Sequence, residues 1–228
     1  MHSWQLKITQ AMDVQRQLAE KVSKTGKLTA PRFIAGVDIS VSKDRGMATG
    51  AVVVLSYPEL GIVEKQVVSG TLDFPYVPGL LSFREAPLIL TACERLSITP
   101  ELILVDGQGI AHPRRIGLAS HLGLFLDTPT IGCAKSLLCG VHELPAVEAG
   151  SCAEIIDNNE TVGVALRTRS GVKPIYVSIG YKVDLQTAIY WAFECCRGYR
   201  LPEPTRLAHL VAGEEMRKGR DIIAAAVG

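Results

Sequence analysis

"RFIAGVDISVSKDRGMATGAVVVLSYPELGIVEKQVVSGTL", residues 32–72, contains three apolar, β-branched runs separated by two turn signals. "SKDRG" joins the first pair and "PELG" the second, and both links are too short for a crossover helix. Three strands connected in this way form an antiparallel meander. The preceding "MHSWQLKITQAMDVQRQLAEKV" is a polar, helix-patterned segment without an uninterrupted apolar core. It is expected to be neither a signal peptide nor a membrane span, which points to a cytoplasmic chain.

Past residue 72 the pattern changes. A helix over about 82–96 is followed by the strand "ELILVDG", a helix in "IGLASHLGLFLD" and the strand "TIGCAKS". Alternation of this kind implies parallel strands with crossover helices. "ETVGVALRT" and "KPIYVSIG" then suggest a second hairpin, and "DLQTAIYWAFECCRG" an apolar helix stopped by Gly198. A short helix is expected after the Pro-rich turn in "LPEPTRLAHLV". A meander followed by βα units in one mixed sheet, flanked by helices, resembles the ribonuclease H-like α/β folds. One domain over residues 1–228 is the expectation, and a fold by itself assigns no function.

The chain is 47% hydrophobic and 21% charged with a formal net charge of +1, which excludes attachment to nucleic acid by overall charge alone. A local basic patch would escape that test. The six cysteines have neither the C-x-x-C pairing of a zinc knuckle nor the density of a disulfide scaffold, and read as free thiols in a reducing compartment.

Two acidic residues sit in apolar strands: Asp38 in "GVDIS", and Asp106 at the end of "LILVDG". A carboxylate there needs a turn role, a partner or an ion. Glu85 has a simpler reading on pattern, because "SFRE" is a capping box with Ser82 as N-cap. If all three converge, their repulsion calls for a hard divalent cation, and Mg²⁺ suits carboxylate ligands better than zinc does. Lys135 in "GCAKS" reads as a snorkelling surface lysine or as a charge facing a phosphate. His112, with Arg114 and Arg115 in "AHPRRIG", reads as solvated loop or phosphate contact, and His209 by default as a helix-surface residue. The glycines of "DGQGIAH" do not make a dinucleotide fingerprint, since His112 replaces the third. The remaining oddity is "PYVPGLLSFRE", residues 75–85, which fixes Tyr76 between two prolines at the tip of a turn.

Together, "GVDIS", "PYVPGLLSFRE", "LVDGQGIAHPRRIGLASHLGL", "IGCAKS" and "GYRLPEPTRLAH", in that order, resemble the endonuclease V family of deoxyinosine-directed DNA repair enzymes. The resemblance implies a nuclease that uses Mg²⁺ or Mn²⁺ to hydrolyse the second phosphodiester bond 3′ to a deaminated purine, leaving 3′-hydroxyl and 5′-phosphate ends. It makes Asp38, Glu85 and Asp106 metal ligands, with His209 near the site and Lys135 facing the phosphate. Tyr76, with Pro75, Val77 and Pro78, matches the wedge; Gly79, Leu81, Gly107, His112 and Leu118 match the enclosure of the extruded base. Phosphate contacts are expected from Arg114 and Arg115, and the partner is deoxyinosine-containing DNA bound by a monomer. Inosine-containing RNA is the variant substrate. The chain departs from the family pattern at Ile179, Gly180, Tyr181 and Lys182, where a Pro-Gly-His-like stretch is usual. "FIAGVDIS" before a hairpin also resembles the first phosphate loop of actin-like ATPases and sugar kinases, but those carry two such openings and this chain has one. A lesion-binding protein without catalysis would lack a carboxylate, and all three are present.

Overall fold

The computed structural model describes residues 2–42 and 46–227, with side chains through residue 218; the expected turn residues 43–45 lie outside the described set. After helix α1 (Ile8–Ala19), strands β1 (Phe33–Val41), β2 (Met47–Ser56) and β3 (Ile62–Thr71) form the meander, β1–β2 and β2–β3 both antiparallel. Helix α2 (Leu81–Glu94), strand β4 (Leu102–Val105), helix α3 (Leu118–Leu126) and strand β5 (Thr130–Ala134) follow, and β4 is parallel to both β1 and β5. The second hairpin is half of a larger unit. Strand β6 (Cys152–Asp157), which the sequence pattern did not reveal, pairs with β7 (Glu160–Leu166), and β7 pairs with β8 (Ile175–Tyr181). The result is one eight-stranded mixed sheet in the order β3-β2-β1-β4-β5-β8-β7-β6.

Side chains alternate across the sheet, so each strand feeds two cores. Ile34, Leu102, Leu104, Ile131 and Cys133 pack on the face carrying α4 (Leu185–Glu194), with the fully buried Trp191, and α5 (Glu203–Val227), with Ala208. Ala35, Val37, Ile103 and Val105 pack on the opposite face against Ile89 of α2 and Leu122 of α3. Asp184 caps α4 by accepting the Thr187 N–H at 2.7 Å. That helix ends at Glu194, and Gly198, at φ +78°, belongs to the turn beyond it. The helix carrying His209 is not short: α5 runs for 25 residues.

The family departure lies away from the carboxylates. Tyr181 pairs with Thr130 at the start of β5, whereas Lys135 follows the other end of that strand.

Candidate active site

Strand register brings distant charges together. β1 and β4 are parallel with Val37 opposite Val105, so Asp38 and Asp106 follow side by side. Both have the parity of Ile34 and Leu104, which places them on the α5 face. Cys133 of β5 shares that face, and two residues later Lys135 reaches Asp106, its Nζ ion-paired with Oδ2.

Helix α5 can reach this spot because β1 carries a glycine. A Cβ on Gly36 would lie 2.0 Å from the Pro204 carbonyl carbon and oxygen. Asp38 lies two residues along the same strand face and His209 lies one turn beyond Thr205. The His209 Nδ1–H accordingly donates to Asp38 Oδ2 at 2.6 Å. Asp38, Asp106 and His209 each place one possible ligand atom within 4.8 Å of the others. His209 is therefore more than a helix-surface residue.

Glu85 comes from the other face of the sheet. The capping-box expectation is corrected: α2 begins at Leu81 after the N-cap Leu80, which puts Glu85 in the second turn, out of reach of the cap. The Ser82 hydroxyl bonds His121 Nδ1 at 2.9 Å instead. Glu85 is 8% exposed, and burial, followed by the Asp38 and Asp106 charges, pushes its carboxyl up to about 8. Asp38 is also raised, first by burial and then by Asp106, with the His209 hydrogen bond opposing the shift. Glu85 stands outside the group of ligand atoms within 4.8 Å of one another, and its link to Asp38 and Asp106 is the rise that their charges add to its carboxyl. The oxygen-rich donor set, with His209 beside it, suits a hard divalent cation, whose charge would offset the burial and, after it, the carboxylate repulsion that raise Glu85.

A cavity of about 330 Å³ adjoins this cluster, lined by Asp106 and Lys135 on one side. The sequence-predicted residues Tyr76, Val77, Pro78, Gly79, Leu81, Gly107, His112 and Leu118 line it too. Tyr76 is 72% exposed, an unusual situation for a ring stiffened by its neighbours. Pro75 is outside the cavity and lines a separate groove.

The loop tip is locked at a single atom. The Gly79 carbonyl accepts from Gln15 Nε2 (3.0 Å), His112 Nε2 (2.9 Å) and Arg114 Nη2 (2.7 Å). His112 Nδ1 accepts the Arg114 N–H at 3.1 Å, which leaves Nε2 as the protonated nitrogen, and burial lowers its pKa to about 4. Buried and committed in this way, His112 is neither a solvated loop residue nor a phosphate contact. Arg115 also corrects the expectation. Its guanidinium pairs with Asp157 and Glu160, both at 2.7 Å, and is already neutralised.

Sequence reasoning missed Gln15, Ser82, Gln108, Gly117, Ala134, Ser136 and Leu138 as lining residues of the cavity. Gln15 is 1% exposed on α1, and a glutamine at a helix position carries no signal of a contact with residue 79. The glycines of "DGQG" serve close packing: a Cβ on Gly109 would lie 2.0 Å from the Ile179 carbonyl oxygen. All six cysteines are unpaired.

The endonuclease V family profile matches residues 16–210. The chain belongs to the endonuclease V family. An endonuclease V of Dehalococcoides mccartyi is 53% identical over 214 residues, covering 94% of this chain and 96% of that one. The solved endonuclease V of Streptomyces avermitilis superposes with a TM-score of 0.91 at 40% identity, covering 96% of both chains. The endonuclease V of Ciona intestinalis, solved with a 24mer DNA containing an inosine followed by a ribo-adenosine, superposes at 0.83 with 31% identity, covering 92% of this chain and 98% of that one. Endonuclease V enzymes are phosphodiester hydrolases, and the mixed sheet expected from the sequence is the one they share. No helix among the described residues is long and apolar enough to cross a membrane.

Proposed function

We infer that this endonuclease V hydrolyses DNA on the 3′ side of deoxyinosine, at the second phosphodiester bond, leaving 3′-hydroxyl and 5′-phosphate ends. The observation that carries the reading is the cavity between the exposed Tyr76 tip and the Asp106–Lys135 pair, a base-sized space opening onto acidic chemistry. Tyr76 enters the stack as the lesion base leaves it, and a hypoxanthine pair, weaker than a normal one, costs less to open.

Inside the cavity, Leu81 and Ser82 stand at the start of α2, where backbone N–H groups have no intrahelical acceptor. Such donors select the O6 acceptor of hypoxanthine over the amine of adenine. Gly79 and Gly107 allow the backbone to approach the base closely. The three-donor lock on the Gly79 carbonyl holds that turn in place before the base arrives.

Asp38, Glu85 and Asp106 would hold the cation, for which Mg²⁺ is our assignment with Mn²⁺ as a substitute. Bound there, it supplies Lewis-acid charge at the scissile phosphate. Lys135 adds a positive charge beside Asp106, positioned to oppose charge growing on the phosphoryl oxygens. His209 orients Asp38 through Nδ1. Arg114, held against Gly79, reinforces the wedge loop.

The test is a labelled strand carrying a single deoxyinosine, incubated with Mg²⁺ beside an otherwise identical deoxyadenosine strand and a ribo-inosine strand. One nick at the second phosphodiester bond of the deoxyinosine strand is expected. Cleavage of both DNA strands alike, or of the ribo strand only, would overturn the reading.

A further inference from the structure

The wedge segment is a wall between two cavities. Val77, Pro78 and Gly79 line the lesion pocket, whereas Pro75 lines a groove of about 550 Å³ on the far side. The one partly exposed aromatic ring in that groove is the half-buried Trp4, with Phe74 and Phe83 buried behind it at 5% and 1% exposure. Lys7 and Arg84 contribute two cations against one acid, Asp73.

We propose that this groove takes the complementary strand of the duplex, at the nucleotide left unpaired when the lesion base is withdrawn. The proposal rests on the lesion-directed reading given above. A ring driven between base pairs leaves an orphan base on the side opposite the extracted one, stripped of its partner and part of its stack. The exposed part of the Trp4 ring can stack on any of the four bases by their π-faces. The cations meet the flanking phosphates, contacts that position a strand without reading sequence. The groove is continuous with the wedge through Pro75 and is larger than the lesion pocket, as a whole nucleotide demands.

Two exposed positions test this away from the catalytic cluster. Lys7→Glu reverses a cation. Gln10→Glu adds an anion while keeping the Oε1 acceptor that the Lys7 N–H uses at 2.9 Å, so the start of α1 is preserved. Each variant should lose about fivefold in kcat/KM on a single-inosine duplex, and Lys7→Glu should flatten its salt slope by about one. The same inosine strand without its complement should be cut at the rate of the unaltered protein. Equal losses on both substrates, or none on either, would overturn the proposal. Failure of the unaltered chain to cut either substrate would sink the lesion-directed reading instead. A second readout is iodide quenching of tryptophan, which reports Trp4 because Trp191 is only 1% exposed. Duplex should protect Trp4 and single strand should not; protection by both, or by neither, contradicts the assignment.

Discussion

Burial and the neighbouring carboxylates hold Glu85 up at about 8, so at neutral pH the metal-free protein keeps this group protonated. The unfolded chain would ionise it near the ordinary glutamate value. A raised native pKa contributes stability that is complete below that ordinary value and is lost as pH rises toward 8. Metal-free protein should therefore lose on the order of a few kcal/mol between about pH 4.5 and 8 through this group, and Glu85→Gln should lack that component, keeping only the pH dependence of other shifted groups such as Asp38 and His112. Urea melts at several pH values measure the difference, and parallel slopes would contradict the assignment. Gln15 makes a different kind of contribution. Gln15→Leu leaves the Arg114 Nε–H without its acceptor and takes one of three donors from the Gly79 carbonyl, a cost of about 1–3 kcal/mol. With the wedge turn loosened, KM for an inosine strand should rise more than kcat falls; a pure stability loss with unchanged kinetics would reduce Gln15 to a packing role. The sequence carried no hint of it, whereas Asp38, Asp106 and Lys135 were legible because a charge within a buried strand or just past its end is itself an anomaly.

Elements place these residues through close approaches at glycine. Gly36 admits α5 onto β1, and a Cβ on Gly50 would lie 3.3 Å from Leu88, so α2 lies close over β2. Gly36→Ala would force α5 away, separate His209 from Asp38 and cost more than about 2 kcal/mol. Activity should fall further than stability does; a variant with normal cleavage would mean that α5 does not set the site. Most elements were legible, since β-branched runs, turn chemistry and the alternation after residue 72 each carried a local signal. Two errors have different physical origins. β6 presents a polar, largely solvent-facing surface in "CAEIID" and so lacks an apolar signature. The capping box in "SFRE" failed because Ser82 is buried against His121, and a tertiary partner outcompeted the local one.

At the scale of the whole molecule, a nearly neutral body must bind a polyanion through a few local charges. Lys135, Arg84 and Lys7 lie on the two cavities flanking the wedge, while Arg115 is internally neutralised. Binding should weaken with salt, but with the shallow slope of a few phosphate contacts. Tyr76→Ala should leave the melting temperature unchanged, since the ring is exposed, and should slow cleavage of duplex more than of single strand. Equal slowing on both substrates would place Tyr76 outside the strand-opening step.

The most direct measurement is single-turnover cleavage of a single-inosine duplex in Mg²⁺ by Glu85→Gln, with the melting temperature recorded on the same preparation. Buried carboxylates sharing a cation predict a variant at least as stable as the unaltered protein at pH 8, with cleavage reduced by about 10³-fold or more. A stable variant that still nicks the inosine strand at the normal rate would contradict the account.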